Sequence, residues 1–503
     1  MTDQLFALLA ASPDDHRVLE QGMALFEGLV SKDVETLEVI PGVAESWKIS
    51  DDGRTYTFYI RENARWSNGE LLTAEDFVWS WKRALLPELG NQYAYSLFVL
   101  ENAEAFNKGE VAFDQVGVKA VDDHTLQVSL HSPTPYFLEL LDHHSLYPVH
   151  QSTIEKHGKP GERGTPWTRP ENFVGNGAFT LKEWSPNRVL VVEKNPKYWD
   201  ADVVKLQEIH FYPVQQPATE ERMFRAGQLH ITNEVPVHKF SDYQKNHPEV
   251  LKYSPYFGTY FYRLNLNVPP LNDVRVRKAL AYSINREQIT DKVTLTGETP
   301  AYNLTPPNTN GYTAEAEVPH DVALARELLA EAGFPNGKGF PTLTILFNTY
   351  EMHQQIAVTI QQMWKQALNI DVVLENQDWK VFLANERTGN FQITRASWIG
   401  DYYDPNTFLD MFVTDGGNNK TGWSNPRYDQ LIEQAARTGN KGERYQYFQK
   451  AEAILVDELP IIPIYTYTRR SLVHPAVQNW PNNIMDRLSY KHVYLEPQEM
   501  HVE

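Results

Sequence analysis

The chain has 503 residues, too many for one ordinary hydrophobic core, and 42% hydrophobic with 22% charged residues describes a globular protein of two or more lobes. A formal charge of −19 argues against nucleic acid and against an anionic membrane surface, because both need basic patches. With no cysteine, the chain has no disulfide, thiolate metal site, cysteine nucleophile or lipidated cysteine of its own.

Met1 to Ala11 holds a short apolar stretch behind Asp3 with no basic lead, which reads as a weak amphipathic helix and a poor signal peptide. No apolar run approaches the roughly 18 residues of a membrane span. Arg54 to Ile60 alternates as a strand, and Thr73 with Asp76 forms a capping-box pattern that opens a helix through Ala84. Val116–Val121 and Thr125–Leu130 read as a hairpin around Asp122-Asp-His, and Lys159 to Pro170 is a Pro- and Gly-rich loop. Val322 to Ala332 is a helix closed by Gly333. Leu343–Phe347, His353–Ala367 and Ile370–Leu374 spell strand, helix and strand, a crossover that implies a parallel pair. Gln392 to Trp398 is a further strand that turns at Gly400. Tyr428–Ala436 and Glu443–Val456 are helices, and Ile461–Tyr467 is a strand broken by Pro463.

Catalytic motifs are absent: there is no HExxH helix, GxSxG elbow or Walker loop. Gly333 to Gly339 follows a helix instead of preceding one, so it is a turn and not a phosphate loop. Asp142-His-His144 hints at a metal, but adjacent residues on a strand point to opposite faces, so surface or half-buried histidines are expected. No metal and no cofactor is expected. Aromatic residues are abundant, with 12 Trp, 26 Tyr and 23 Phe. Most belong to the core, and the rest suit a pocket whose flat apolar walls accept varied side chains.

Arg395-Ala-Ser-Trp-Ile-Gly-Asp-Tyr-Tyr-Asp-Pro405 is the most informative segment. It presents Asp401 as a lone carboxylate amid Trp398, Tyr402 and Tyr403, a setting for a ligand with a cationic end and an apolar body, such as a peptide's α-ammonium. The alternative is a turn whose aspartate bonds only its own backbone.

Together with Pro41-Gly-Val-Ala-Glu-Ser-Trp47, Trp66-Ser-Asn-Gly69, Thr73-Ala-Glu-Asp-Phe-Val-Trp79, Asn272-Asp-Val-Arg-Val-Arg277, Thr305-Pro-Pro307 and Leu329-Ala-Glu-Ala-Gly333, this segment resembles the periplasmic oligopeptide-binding proteins. These are extracellular solute-binding proteins of family 5, the substrate-binding components of peptide ABC transporters. The resemblance implies an α/β fold of the two-lobed periplasmic-binding-protein type, with an extra subdomain in the first lobe. Residues 1–27, 155–257 and 469–503 would form the core of lobe I, 28–154 its subdomain and 258–468 lobe II.

The resemblance also implies a peptide held in an interlobe cleft that shuts over it. Asp401 would bind the α-ammonium, the backbone of Ser397 and Ile399 would pair with the extended ligand, and Trp398 would wall a side-chain pocket. Arg395 would meet the carboxylate of a short peptide and His353, at a helix start, that of a longer one. Tyr93, Asn233, Tyr256, Trp379 and Tyr467 match cleft positions. Arg263 stands where the family carries an acid and Glu386 where it carries a base, with Arg387 able to supply that charge. Both departures bear on side-chain preference and peptide length. A third is that Met1 to Ala24 do not match the family's first strand, so lobe I is expected to lack an edge strand.

The implied function is a monomeric, non-enzymatic capture protein that hands its peptide to a membrane permease of the ABC class, in the periplasm or cell envelope. Its alternatives are the same fold binding a murein peptide, a dipeptide or a non-peptide solute, a hydrolase using paired carboxylates, and a vestigial or sensing cytoplasmic relative.

Overall fold

The computed structural model describes residues 24–91, 93–214 and 216–496. The expected amphipathic helix at Met1–Ala11 and the expected loss of a first strand lie outside the described residues. The chain forms two compact units. One comprises the described residues up to Pro236, with His247–Lys252 and the chain from Ser471 onward; the other comprises Val237–Asn246 and Tyr253–Arg470.

In the first unit, β1 (Ala44–Ile49) and β2 (Thr55–Ile60) are followed by helix α1 (Ala74–Leu85) and by β3 (Val118–Asp122) and β4 (Thr125–Ser129). The four strands make one antiparallel sheet in the order β1-β2-β4-β3. The backbone N–H of Thr73 donates to Asp76 at 2.8 Å, so the capping pattern read from the sequence does open α1. Alternation along β2 buries Tyr56, Phe58 and Ile60, while Phe77 and Trp81 of α1 are fully buried. A second antiparallel sheet follows, built from β5 (Phe179–Ser185), β6 (Val189–Lys194) and β7 (Glu208–Phe211).

The second unit is organised around a six-stranded mixed sheet. Its strands are β8 (Leu251–Leu264), β9 (Thr299–Pro300), β10 (Leu343–Asn348), β11 (Val372–Gln377), β12 (Ile393–Ile399) and β13 (Ile461–Leu472), in the order β9-β13-β8-β12-β10-β11. Helix α2 (Glu351–Leu368) joins β10 to β11, and α3 (Trp379–Thr388) joins β11 to β12. Both crossovers connect parallel strands, because β10 pairs in parallel with β11 and with β12. The pleat sorts the two helices onto opposite faces. Leu343, Ile345 and Phe347 share a core with Ile356, Ala357, Ile360 and Trp364 of α2, whereas Leu346 packs with Phe382 and Phe391 on the α3 side.

One short-range feature corrects the sequence reading. Strand β13 runs unbroken through Pro463, a position that its short neighbour β9, paired with Tyr465 and Thr466, does not reach. The carbonyl of Pro463 accepts Arg286 Nε at 2.8 Å. The chain passes between the units four times: between Pro236 and Val237, between Asn246 and His247, and inside two long strands, between Lys252 and Tyr253 of β8 and between Arg470 and Ser471 of β13.

Candidate functional site

Because β10 is flanked by β11 on one side and β12 on the other, with the connecting helices on opposite faces, chain order reverses at β10. In an open α/β sheet such a reversal leaves a crevice at the carboxyl ends of the strands. Three residues singled out from the sequence fall at that edge. His353 lies in the first turn of α2, Trp379 is the first residue of α3, and Asp401 is two residues past the end of β12.

The backbone of β12 is half used there. On one side it pairs antiparallel with β8, with Tyr260 opposite Ser397 and Gly258 opposite Ile399. The next pair, Phe257 and Gly400, is hydrogen-bonded, Gly400 N–H donating to Phe257 C=O at 2.8 Å. Antiparallel pairs alternate between bonded and non-bonded, so Arg395, Ser397 and Ile399 direct their N–H and C=O groups away from β8. On that outer side β10 pairs only with Ile393 and Thr394. From Arg395 to Ile399 the strand edge thus has no strand alongside it among the described residues.

Gly400 is required by close approach: a Cβ there would lie 2.2 Å from the Phe257 ring. The turn it permits is pinned below. Thr407 Oγ1 accepts the Asp401 N–H at 3.0 Å and the Trp398 indole N–H at 3.4 Å. Asp404, buried, is held in a fork by Arg444 at 2.5 and 2.7 Å. Tyr402 is buried and Tyr403 donates to the Asn308 carbonyl at 3.0 Å, so both rings are committed to the fold. Asp401 is not a lone carboxylate. Its charge is among the causes that raise the pKa of half-buried Asp410 to about 8, after burial itself and together with Asp404. Sequence reading missed Asp410; the spacing Asn406 to Asp410, one helical turn beyond the Asp-Tyr-Tyr-Asp motif, was the signal available.

At the middle of the strand, Arg395 Nη2 donates to Tyr467 Oη at 3.2 Å and its guanidinium lies 5.2 Å from the Tyr260 ring. Its Nε is buried with no hydrogen-bond partner. His353 sits beside it, 5.5 Å from Tyr260 and 5.0 Å from Tyr350 ring to ring, with Nδ1 also buried and unbonded. Burial first, and the Arg395 cation second, hold the His353 pKa well below its usual value, so the imidazole is neutral. A fixed cation and a neutral ring with unsatisfied nitrogen positions, walled by Tyr260, Tyr465 and Tyr467, suit a carboxylate.

The remaining candidates are more dispersed. Tyr256 is buried in β8, and Trp379 stacks on Phe382 at 5.7 Å as part of the α3 core. Arg263 and Glu386, two separate departures in the sequence, form one ion pair in which Arg263 is buried and Glu386 half-buried. Arg263 is opposite Thr394 in the register, about 17 Å of strand from Ile399 at roughly 3.4 Å per residue, so the pair occupies the amino end of β12. Arg387 lies in the last turn of α3, and with Arg263 it depresses the pKa of Lys420, whose burial acts first. It is grouped with that pair and not with Asp401.

Tyr93 and Asn233 belong to the first unit. The Tyr93 ring is 4.9 Å from His143, and the backbone N–H of Asn233 donates to Glu220 at 2.8 Å. His143 and His144 are buried with their rings 4.2 Å apart, not on opposite faces of a strand, because the chain turns there and Ser145 Oγ bonds His143 Nδ1 at 2.6 Å. Burial depresses the His143 pKa to about 3, with the Arg487 charge adding to it. Among the described residues no group of three or more His, Asp or Glu is placed to hold a metal.

A sheet with its chain reversal at β10, divided between two units by long shared strands, belongs to the periplasmic-binding-protein class of two-lobed α/β folds. The family model for bacterial extracellular solute-binding proteins, family 5, matches residues 38–420. The chain is 39% identical over 474 residues to the periplasmic murein peptide-binding protein MppA of Escherichia coli, covering 93% of this chain and 86% of that one. It is 38% identical over 483 residues to the periplasmic oligopeptide-binding protein OppA of Salmonella typhimurium, covering 94% and 87%. The solved structure of the E. coli murein tripeptide binding protein MppA superposes with a TM-score of 0.88 at 37% identity, covering 98% of this chain and 97% of that one. The chain belongs to solute-binding protein family 5, and the relatives compared are named as binding proteins.

Proposed function

We propose that the protein is the solute-binding component of an ABC importer and captures oligopeptides by their main chain and termini. One observation carries this reading: the outward edge of β12 from Arg395 to Ile399 has Asp401 at one end and the Arg395–His353 pair at the other. An extended peptide would add to that edge through Ser397 and Ile399, as in β-augmentation. Asp401 would take the α-ammonium, and Arg395 with His353 the carboxylate. Trp398, Tyr256, Trp379, Tyr467, Tyr93 and Asn233 keep the contact roles that the resemblance implies, and Arg387 acts at most on distant side chains. Neither a covalent step nor a cofactor enters. The names of the periplasmic relatives support the same compartment; delivery to a membrane permease and action as a monomer are part of the proposal.

Calorimetry with a mixed tripeptide library and its N-acetylated counterpart tests the reading. The free peptides bind and the acetylated ones bind at least tenfold more weakly. Asp401→Asn costs about 2–5 kcal/mol toward the free peptides and removes the difference. Equal heats for both libraries on the native chain would refute the anchor. Similarity to a murein tripeptide-binding protein favours a murein peptide as the second reading. Native mass spectrometry of the purified protein separates them, by a ladder of peptide masses or one murein mass.

A further inference from the structure

Strands β13, β8 and β12 are neighbours in the sheet, and α2 packs on the same face of all three. Tyr262 of β8 stands opposite Arg395 of β12 in the register. The Tyr260 ring is 6.0 Å from that of Tyr262, 5.5 Å from that of His353 and 4.8 Å from that of Tyr465. The Arg395 guanidinium lies 5.2 Å from the same ring. Four polar atoms of this cluster are buried without a hydrogen-bond partner: Tyr260 Oη, Tyr262 Oη, Arg395 Nε and His353 Nδ1. Both tyrosines are wholly buried, His353 is 6% exposed, and Arg395 is half-buried with its Nε inside. Buried polar groups are as a rule completed by a partner, and here four of them lie together.

The chemistry of these atoms defines the partner. Burial raises the pKa of both tyrosines, so each phenol keeps a proton to donate. Arg395 Nε–H is a donor only, and His353 Nδ1 donates when it carries the neutral ring's single proton. One tyrosine hydroxyl can turn to the other, which still leaves three donors. Arg395 meets Tyr467 and, among the described residues, no carboxylate. Glu298, whose charge reaches Tyr465, is paired with Arg470. Several donors around one cation, with no anion supplied by the fold, select a negatively charged acceptor. The walls are aromatic rings, so an ion that sheds its water easily fits better than a strongly hydrated one.

We infer that this cluster binds a small, easily dehydrated monovalent anion, chloride, and gives it up when a peptide's carboxylate takes its place. This deepens the peptide reading and, for the exchange, rests on it. Before the peptide arrives, chloride is the counter-ion of Arg395 and accepts from its Nε–H, from the tyrosine hydroxyls and from His353 Nδ1–H. When the carboxylate docks, one anion leaves as another enters. The buried charge is the same in both states, which limits the desolvation cost of each. Chloride therefore competes with peptides that bear a free carboxyl and leaves peptide amides unaffected.

The test is calorimetry of the mixed tripeptide library and of its carboxyl-amidated counterpart, in sodium chloride and in sodium fluoride at equal ionic strength. Fluoride carries the same charge but holds its water far more tightly. The free-carboxyl library binds about tenfold more weakly in chloride once chloride exceeds its own Kd by about tenfold, and the amides bind equally in both salts. Equal affinities of the free-carboxyl library in the two salts overturn this inference and leave the peptide reading standing. A chloride effect of the same size on the amides is general screening and overturns it too. No heat from either library in either salt refutes the peptide reading, and chloride NMR of the protein alone then decides the anion site. Line broadening that Arg395→Met abolishes supports the site, and no broadening overturns it. If Arg395→Met fails to fold, Tyr262→Phe removes one donor with almost no change of volume. It narrows the line, and an unchanged width overturns the inference.

Discussion

The two ends of strand β12 each hold an arginine, one with a carboxylate partner and one without. At the amino end, Arg263 is paired with Glu386, and Asn265 Nδ2 is shared between the carbonyls of Gly389 and Phe391 at 3.0 and 2.9 Å. Toward the carboxyl end, Arg395 meets Tyr467 but no carboxylate, and among the described residues the backbone edge beyond Thr394 has no strand. Single buried nitrogens are left unbonded at both ends, Arg263 Nε at one and Arg395 Nε and His353 Nδ1 at the other. An arginine with its carboxylate and an arginine without one therefore separate what holds the sheet together from what awaits a ligand.

The sharpest way to break that contrast is to remove the carboxylate from the amino end. Glu386→Ala leaves Arg263 as an uncompensated buried charge and should cost about 3–5 kcal/mol in urea unfolding, with peptide affinity unchanged. An equal loss of affinity would mean that the amino end also meets ligand. At the other end, Arg395→Met should do the reverse. Affinity for unblocked tripeptides falls by about 10- to 100-fold, consistent with losing a charged hydrogen bond of about 1.5–3 kcal/mol, while the unfolding midpoint stays nearly constant. Tripeptide amides, which lack the carboxylate, should not feel this change.

His353 sharpens the comparison through pH. Its folded pKa is depressed by burial and by Arg395, so the native state resists protonation while the unfolded chain does not. The neutral ring's contribution is present above the unfolded pKa, near 6.5, and is lost as pH falls toward the folded value. The loss sets in below pH 6.5 and runs through the interval from pH 7.5 to 5, with a limiting slope of roughly 1.4 kcal/mol per pH unit. His353→Gln should flatten the midpoint-against-pH curve over that interval, and an unchanged slope would assign the acid sensitivity elsewhere.

Asp410 gives an effect of opposite sign. As a carboxyl whose folded pKa is raised, it stabilises most below the unfolded value near 3.8, and that contribution disappears as pH rises through about 8. The advantage of the native chain over Asp410→Asn in unfolding midpoint should therefore shrink from pH 5 to pH 9.

Much of this architecture was legible in the residues. The crossover from Leu343 to Leu374 appears as β10, α2 and β11, with α2 slightly longer than expected at both ends and β11 shifted along the chain to Val372–Gln377, and the capping pattern at Thr73 opens α1. Hydrophobic period and cap chemistry are local properties, so a local reading recovers them. The candidate site was legible as a segment, Arg395 to Pro405, but not as an arrangement. Arg263 and Glu386 are 123 positions apart and read as two separate anomalies, and His143 and His144 were assigned to a strand that is in fact a turn. Asp401 looked solitary because Asp410 approaches it only after a short helix doubles the chain back.

By itself, then, the amino-acid order determined which segments would be strands and helices, that Gly400 must allow a tight turn, and that this turn would present an acid among aromatic rings. Which polar groups ended up satisfied was decided only in three dimensions. Register set which backbone groups of β12 face outward, and packing set which arginine found a glutamate and which did not. The physical reason is that hydrogen-bond satisfaction and desolvation are properties of neighbours distant in the chain, and no spacing within a motif can record them.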